Sequence, residues 1–253
     1  MEDNAPPPSP PTLTDGPNGR LAFRVTPGAG PTTVWLGGYA SDMLGTKAER
    51  LDAFAHAQGK AYLRFDYSGH GESAGAFEDG TISTWFADAE HVITNVAPGP
   101  KVLVGSSMGA WITLLFALKH PETVSSIVLI APAPDFTERL VPSRFTDGQK
   151  EALARDGVVR TGTSGHPAET YTQALFDDGR TNLLMDKPIP LPCPVRILHG
   201  MSDDVVPTDH VLTLANLIEA PSLTVTLVKG GDHRLSEEAD LHRLEATIQE
   251  LTA

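Results

Sequence analysis

Lys101-Val102-Leu103-Val104-Gly105-Ser106-Ser107-Met108-Gly109-Ala110-Trp111 decides the fold. KVLV reads as a strand buried on both faces, and the helical pattern AWITLLFALKH (Ala110–His120) follows with no loop between them. A strand-to-helix turn this tight forces Ser107 into strained backbone geometry, and Gly105 and Gly109 remove the side chains that would collide. The serine oxygen then stands clear at the carboxyl edge of a sheet, beside a helix N-terminus that favours negative charge. Ser107 is the candidate nucleophile. The same Gly-x-Ser-x-Gly string recurs as Gly71-Glu72-Ser73-Ala74-Gly75, but there it lies between the turn-like Tyr67–His70 and the loop Phe77–Gly80. No helix starts at Ser73, so that copy reads as turn chemistry.

Outward from this turn, short apolar runs alternate with helical patterns. Thr32–Leu36, Ala61–Phe65, Ser126–Ile130 and Val195–Leu198 are strands with the continuous apolar character of a parallel sheet, while Leu21–Thr26 and Leu223–Val228 alternate like outer strands. Helices are expected at Thr46–Gln58, Ile82–Val96, Ala110–Lys119, Asp209–Ile218 and Leu235–Leu251. The implied class is α/β, a mostly parallel central sheet with helices on both faces. The rhythm breaks between Pro132 and Pro194, where weakly amphipathic stretches (Asp147–Arg155, Glu169–Leu184) read as a small helical cap inserted over the site. The expected division is a disordered proline-rich tail (1–18), core (19–131), cap (132–192) and core (193–253).

A serine hydroxyl needs a base, and the base needs an acid. In this architecture the acid follows a late strand and the histidine follows the last one. His233, in Gly230-Gly231-Asp232-His233, is the candidate base. Asp203 and Asp204 both follow the strand VRIL, and Asp203, at the tip of the turn, is preferred over Asp204. His242 falls inside the final helix, His56, His91 and His120 lie on or at the ends of earlier helices, and His210 opens one. The oxyanion hole needs two backbone N–H groups. Met108 supplies one, and the loop Gly37-Gly38-Tyr39 the other, from Tyr39 or, alternatively, Gly38. Gly38, Phe136, Leu140 and Leu175 are the candidate substrate-binding residues; packing of the cap onto the core is the competing role for the three apolar ones.

The 253 residues carry 19 Lys and Arg against 32 Asp and Glu, a formal charge of −13, which disfavours nucleic acid and anionic membrane as partners. It also disfavours strongly anionic substrates such as free acyl-CoA, unless Arg139, Arg144, Lys150 and Arg155 form a local basic patch. The one cysteine, Cys193, excludes an intramolecular disulfide framework and reads as buried and inert. With an acidic, proline-rich start and no apolar run of membrane length, a cytoplasmic location is expected.

The segments Gly37–Ala48, Arg64–Ser73, Leu103–Trp111, Cys193–Pro207 and Gly231–Arg234 resemble the α/β-hydrolase superfamily. Within it they are similar to the mitochondrial palmitoyl-protein thioesterases that also cleave acyl glucuronides, and to bacterial relatives of these. The resemblance implies Ser107 as nucleophile, Asp203 as acid and His233 as base, acting on a small-molecule ester or thioester, or on an acylated protein. It implies no metal or organic cofactor. Carbon–carbon bond hydrolysis, acyl transfer, peptide hydrolysis and a catalytically silent ligand-binding role are the alternatives. Dehalogenase and epoxide hydrolase chemistry is disfavoured, because those relatives carry an aspartate where this chain has Ser107.

Overall fold

The computed structural model describes residues 10–163 and 166–252. The chain runs through β1 (Thr12–Gly16), β2 (Gly19–Thr26), β3 (Ala29–Leu36), α1 (Thr46–Gln58), β4 (Lys60–Phe65), α2 (Ile82–Val96), β5 (Lys101–Ser106), α3 (Met108–Lys119) and β6 (Val124–Ile130). A long excursion then holds α4 (Phe136–Arg139), α5 (Asp147–Asp156), β7 (Val158–Thr163), β8 (His166–Thr172), α6 (Gln173–Gly179) and β9 (Ile189–Pro190). The chain re-enters the core as β10 (Val195–Gly200), α7 (Thr208–Leu217), β11 (Ile218–Glu219), β12 (Leu223–Val228) and α8 (Glu238–Leu251).

Eight strands form one sheet in the order β1-β2-β4-β3-β5-β6-β10-β12. The pairs β1/β2 and β2/β4 are antiparallel and every other pair is parallel. The continuous apolar runs are explained by burial from both sides. Val34, Leu63, Leu103, Ile127, Leu129 and Ile197 face one apolar cluster, with α2, α3 and α7. Trp35, Tyr62, Val102, Val104, Val128 and Leu198 face the other, with α1 and α8. Because β5 and β6 are central and run parallel, their carboxyl ends meet at one edge. Ser107 N–H donates to Ile130 O at 2.9 Å, so the end of β6 holds the turn that ends β5.

Three expectations need correction. The stretch to Asn18 is not free of structure: Thr12–Gly16 pairs with β2 from Thr12↔Phe23 to Gly16↔Gly19. The proline run ends at Pro11, and Pro17-Asn18 before a Gly19 at φ 122° makes the hairpin turn; Leu13 stays exposed, so the strand carries no apolar pattern. Residues 1–9 of the expected tail lie outside the described residues. The excursion is not purely helical either, since β7 and β8 form an antiparallel hairpin that takes the first part of Glu169–Leu184. β-Branched Val158-Val159 and the Val159↔Tyr171 pair, both buried, favour strand over helix there. Finally, α8 starts at Glu238 rather than Leu235. Leu235 takes φ 46°, and its N–H donates to Asp232 Oδ1 at 2.9 Å, closing a turn before the helix.

Cys193 is buried before β10, and burial pushes its thiol up to about 11. Dithionitrobenzoate at pH 8 is expected to leave it unmodified in the native protein and to react with one equivalent after denaturation; rapid labelling of the native chain would contradict this placement. Among the described residues no helix is long and apolar enough to cross a membrane.

Candidate active site

Ser107 sits between β5 and α3 at φ 54°, ψ −118°, a conformation that L-residues rarely adopt. Its neighbours make the turn possible. A side chain at Gly109 would place its Cβ 2.1 Å from Leu36 O and 2.4 Å from Gly37 O, so the bare Cα lets the start of α3 lie directly on the end of β3. Gly109→Ala is therefore expected to cost about 3 kcal/mol in urea unfolding, because backbone rather than a flexible side chain must give way. An unchanged midpoint would contradict this packing.

His233 arrives on a loop held against the loop that carries Asp203. A Cβ on Gly200 would lie 2.3 Å from Gly231 O, and Ser202 N–H donates to Gly231 O at 2.9 Å. Lys47, on α1, donates from Nζ to Arg234 O and, at 3.3 Å, to Ser236 Oγ, anchoring the residue that follows His233. Burial outweighs the nearby Asp232 and Asp240 charges and lowers the Lys47 ammonium to about 8.

These loops bring Ser107, His233 and Asp203 together. His233 Nδ1 lies 2.8 Å from Asp203 Oδ2, and Nε2 lies 3.2 Å from Ser107 Oγ. An ionised carboxylate only accepts, so Nδ1 carries the proton and Nε2 is left to accept the Ser107 hydroxyl hydrogen. The Asp203 side chain is fully buried, and its second oxygen accepts from Val205 N–H (2.8 Å) and Val206 N–H (2.7 Å). Burial alone would raise its pKa. The His233 hydrogen bond, with the two amides, outweighs burial and holds the carboxyl below its ordinary value. Asp204, the alternative acid, is exposed on the same turn. Behind Asp203 stands His199, fully buried, with Nδ1 3.7 Å from Asp203 Oδ2, too far for a hydrogen bond. Burial, opposed by Asp203, lowers its pKa, so its ring stays neutral beside that carboxylate.

The remaining predicted residues fall around this group. Met108 opens α3, where a helix leaves its first N–H groups without internal partners. Gly38 approaches so closely that a Cβ there would be 3.3 Å from Ser107 Cβ. Tyr39 follows it. The Phe136 ring lies 5.7 Å from the rings of both Tyr39 and Trp111, and it is buried with Leu140 and Leu175 in the large apolar cluster. Ser73, from the other Gly-x-Ser-x-Gly string, is occupied by the turn: Oγ donates to Asp66 O at 2.7 Å and accepts from Ala22 N–H at 2.8 Å. Three of the four cations weighed as a basic patch face carboxylates, Arg139 with Asp186, Lys150 with Asp147 and Arg155 with Asp156, while Arg144 donates to Val205 O. Sequence reasoning missed Lys47, Gly200, His199 and the Val205 and Val206 amides. The segments Cys193–Pro207 and Gly37–Ala48 contained Gly200, His199 and Lys47, but nothing in them marks the contacts these residues make.

The family model described as serine aminopeptidase, S33, matches residues 38–155. Mitochondrial palmitoyl-protein thioesterase ABHD10 of Mus musculus is 37% identical over 234 residues, covering 91% of this chain and 78% of that protein. Its Homo sapiens counterpart is 34% identical over 238 residues, covering 91% and 76%. Among solved structures, one from Agrobacterium vitis S4 superposes with a TM-score of 0.91 at 41% identity, covering 96% of this chain and 98% of that one. Mouse α/β hydrolase domain-containing protein 10 superposes at 0.87 with 33% identity and the same coverage.

Proposed function

The chain belongs to the α/β-hydrolase family that includes the ABHD10 palmitoyl-protein thioesterases, and we propose that it cleaves esters and thioesters of acyl substrates through Ser107, His233 and Asp203. One observation carries the reading. His233 is hydrogen-bonded on both sides, to a buried carboxylate and to a serine at a positive-φ turn, so its tautomer and its proton acceptor are already set.

In the first half-reaction Ser107 Oγ attacks the carbonyl carbon and its proton passes to His233 Nε2. Asp203 stabilises the imidazolium through Nδ1–H. The negative charge that develops on the carbonyl oxygen is met by the N–H groups of Met108 and Tyr39, with Gly38 the alternative second donor. His233 then gives its proton to the leaving alcohol or thiol, and an acyl-Ser107 ester remains. Water enters, gives a proton to the same nitrogen, and attacks the ester, returning Ser107 and the free acid. Gly38 and Phe136 border the acyl chain, with Leu140 and Leu175 behind, and residues 132–192 form the cap that covers it. The pairing of Arg139, Lys150 and Arg155 with neighbouring carboxylates weakens the case for a basic patch and so favours uncharged leaving groups or acylated cysteine over free acyl-CoA.

Thiol release from an S-palmitoyl peptide, followed beside p-nitrophenyl butyrate and an amino-acid p-nitroanilide, tests the substrate class. Turnover of the thioester and the ester, with little on the anilide, is expected. Turnover of the anilide alone would replace this reading with a peptidase.

A further inference from the structure

The ring of Tyr39 is gripped by residues far from it in the chain. It stacks on Tyr171 with centroids 5.2 Å apart and planes 5° from parallel. Phe77, Trp85 and Phe136 meet it edge-on at 5.0, 5.7 and 5.7 Å. Its hydroxyl donates to the carbonyl of Thr170, 131 residues away. Tyr171 is fixed in turn, donating to Glu169 Oε2 at 2.5 Å and pairing across the hairpin with Val159. Burial, with the Glu169 charge, raises both phenols, so both stay protonated donors at neutral pH.

Tyr39 thus has two jobs in one residue: its side chain is locked to β8, and its backbone N–H stands in the loop beside Ser107. We propose that the Tyr39 side chain is a positioning residue that ties the oxyanion-binding loop to the β7–β8 hairpin, so that the hairpin sets how well the transition-state oxygen is held. The assignment rests on the Gly38-Tyr39 loop supplying an oxyanion donor to the reaction at Ser107, as proposed above. Displacing such a donor by a fraction of an ångström weakens the transition state and leaves ground-state binding nearly unchanged. A merely structural role for the aromatic cluster would lower stability without that split.

The test uses Tyr171→Leu, which keeps apolar bulk and removes the stacked ring, and Tyr171→Phe, which keeps the ring. The probe is a short-chain trifluoromethyl ketone, whose adduct with Ser107 places a negative oxygen at the donors. For Tyr171→Leu, kcat on p-nitrophenyl acetate should fall about tenfold and the ketone's Ki should weaken by the same factor, with KM within about twofold. Tyr171→Phe should recover most of the loss. If Tyr171→Leu fails to fold, Tyr39→Phe carries the test, with about threefold effects on kcat and Ki together. A folded Tyr171→Leu with unchanged kcat and Ki, or one whose KM alone rises, overturns the tether. Failure of the underlying reading looks different: the wild-type protein itself would then bind the ketone no more tightly than substrate.

Discussion

Ser107→Ala should lower kcat on p-nitrophenyl butyrate by a factor on the order of 10⁶, leaving only what bound geometry and the oxyanion donors supply over water. The size follows from the route of the reaction. Without Oγ there is no acyl-enzyme, and His233 Nε2, which accepts from Ser107 Oγ at 3.2 Å, has no hydroxyl to activate. The fold should barely notice. Alanine and serine meet nearly the same strain at φ 54°, and the backbone contacts that hold the turn, Ser107 N–H to Ile130 O and Ala133 N–H to Ser107 O, survive the change. The melting temperature should therefore move by no more than about 2 °C. A variant that melts normally and keeps more than a hundredth of the activity would remove Ser107 from the mechanism.

Asp203→Asn is the second large effect, and it separates geometry from charge. The amide fits the carboxylate's place, but its NH₂ would donate to His233 Nδ1. The imidazole proton would then move to Nε2, where it faces Ser107 and cannot accept. A fall in kcat of about 10⁴ is expected, as in hydrolases where the same tautomer is lost. Stability should respond with a defined sign. The folded carboxyl lies below its ordinary value, so the wild-type contribution is fully present above the unfolded pKa of about 3.9 and is lost as pH falls through the folded one. The gap in denaturant midpoint between wild type and Asp203→Asn should thus be open at pH 7 and shrink below pH 4. A gap that widens on acidification would reverse the assigned charge state.

How far the sequence speaks for itself depends on the range of the interaction. The turn at Ser107 was legible because β5, the serine, Gly109 and α3 are contiguous, and the burial of β5 on both faces shows as VLV. His233 and Asp203 were legible because each follows a strand whose place in the sheet is implied by alternation. What escaped is pairing across distance. Lys47 reaches Arg234 over 187 residues, and nothing around Lys47 marks it as an anchor for the histidine loop. Tyr39 was singled out for its N–H, and its stacking on Tyr171 had no trace in either segment. The β7–β8 hairpin was hidden for a related reason, since its cross-strand partners rather than its own period decide strand over helix.

The central claim is that Ser107 carries the acyl group. Intact-mass and peptide mass spectrometry after brief reaction with a fluorophosphonate, and separately with a slow p-nitrophenyl ester, test it most directly. A single adduct on the peptide containing Ser107, abolished in Ser107→Ala and much slowed in Asp203→Asn, is the expected result. Turnover of the ester with no adduct at Ser107, or an adduct at Ser73 instead, would contradict it.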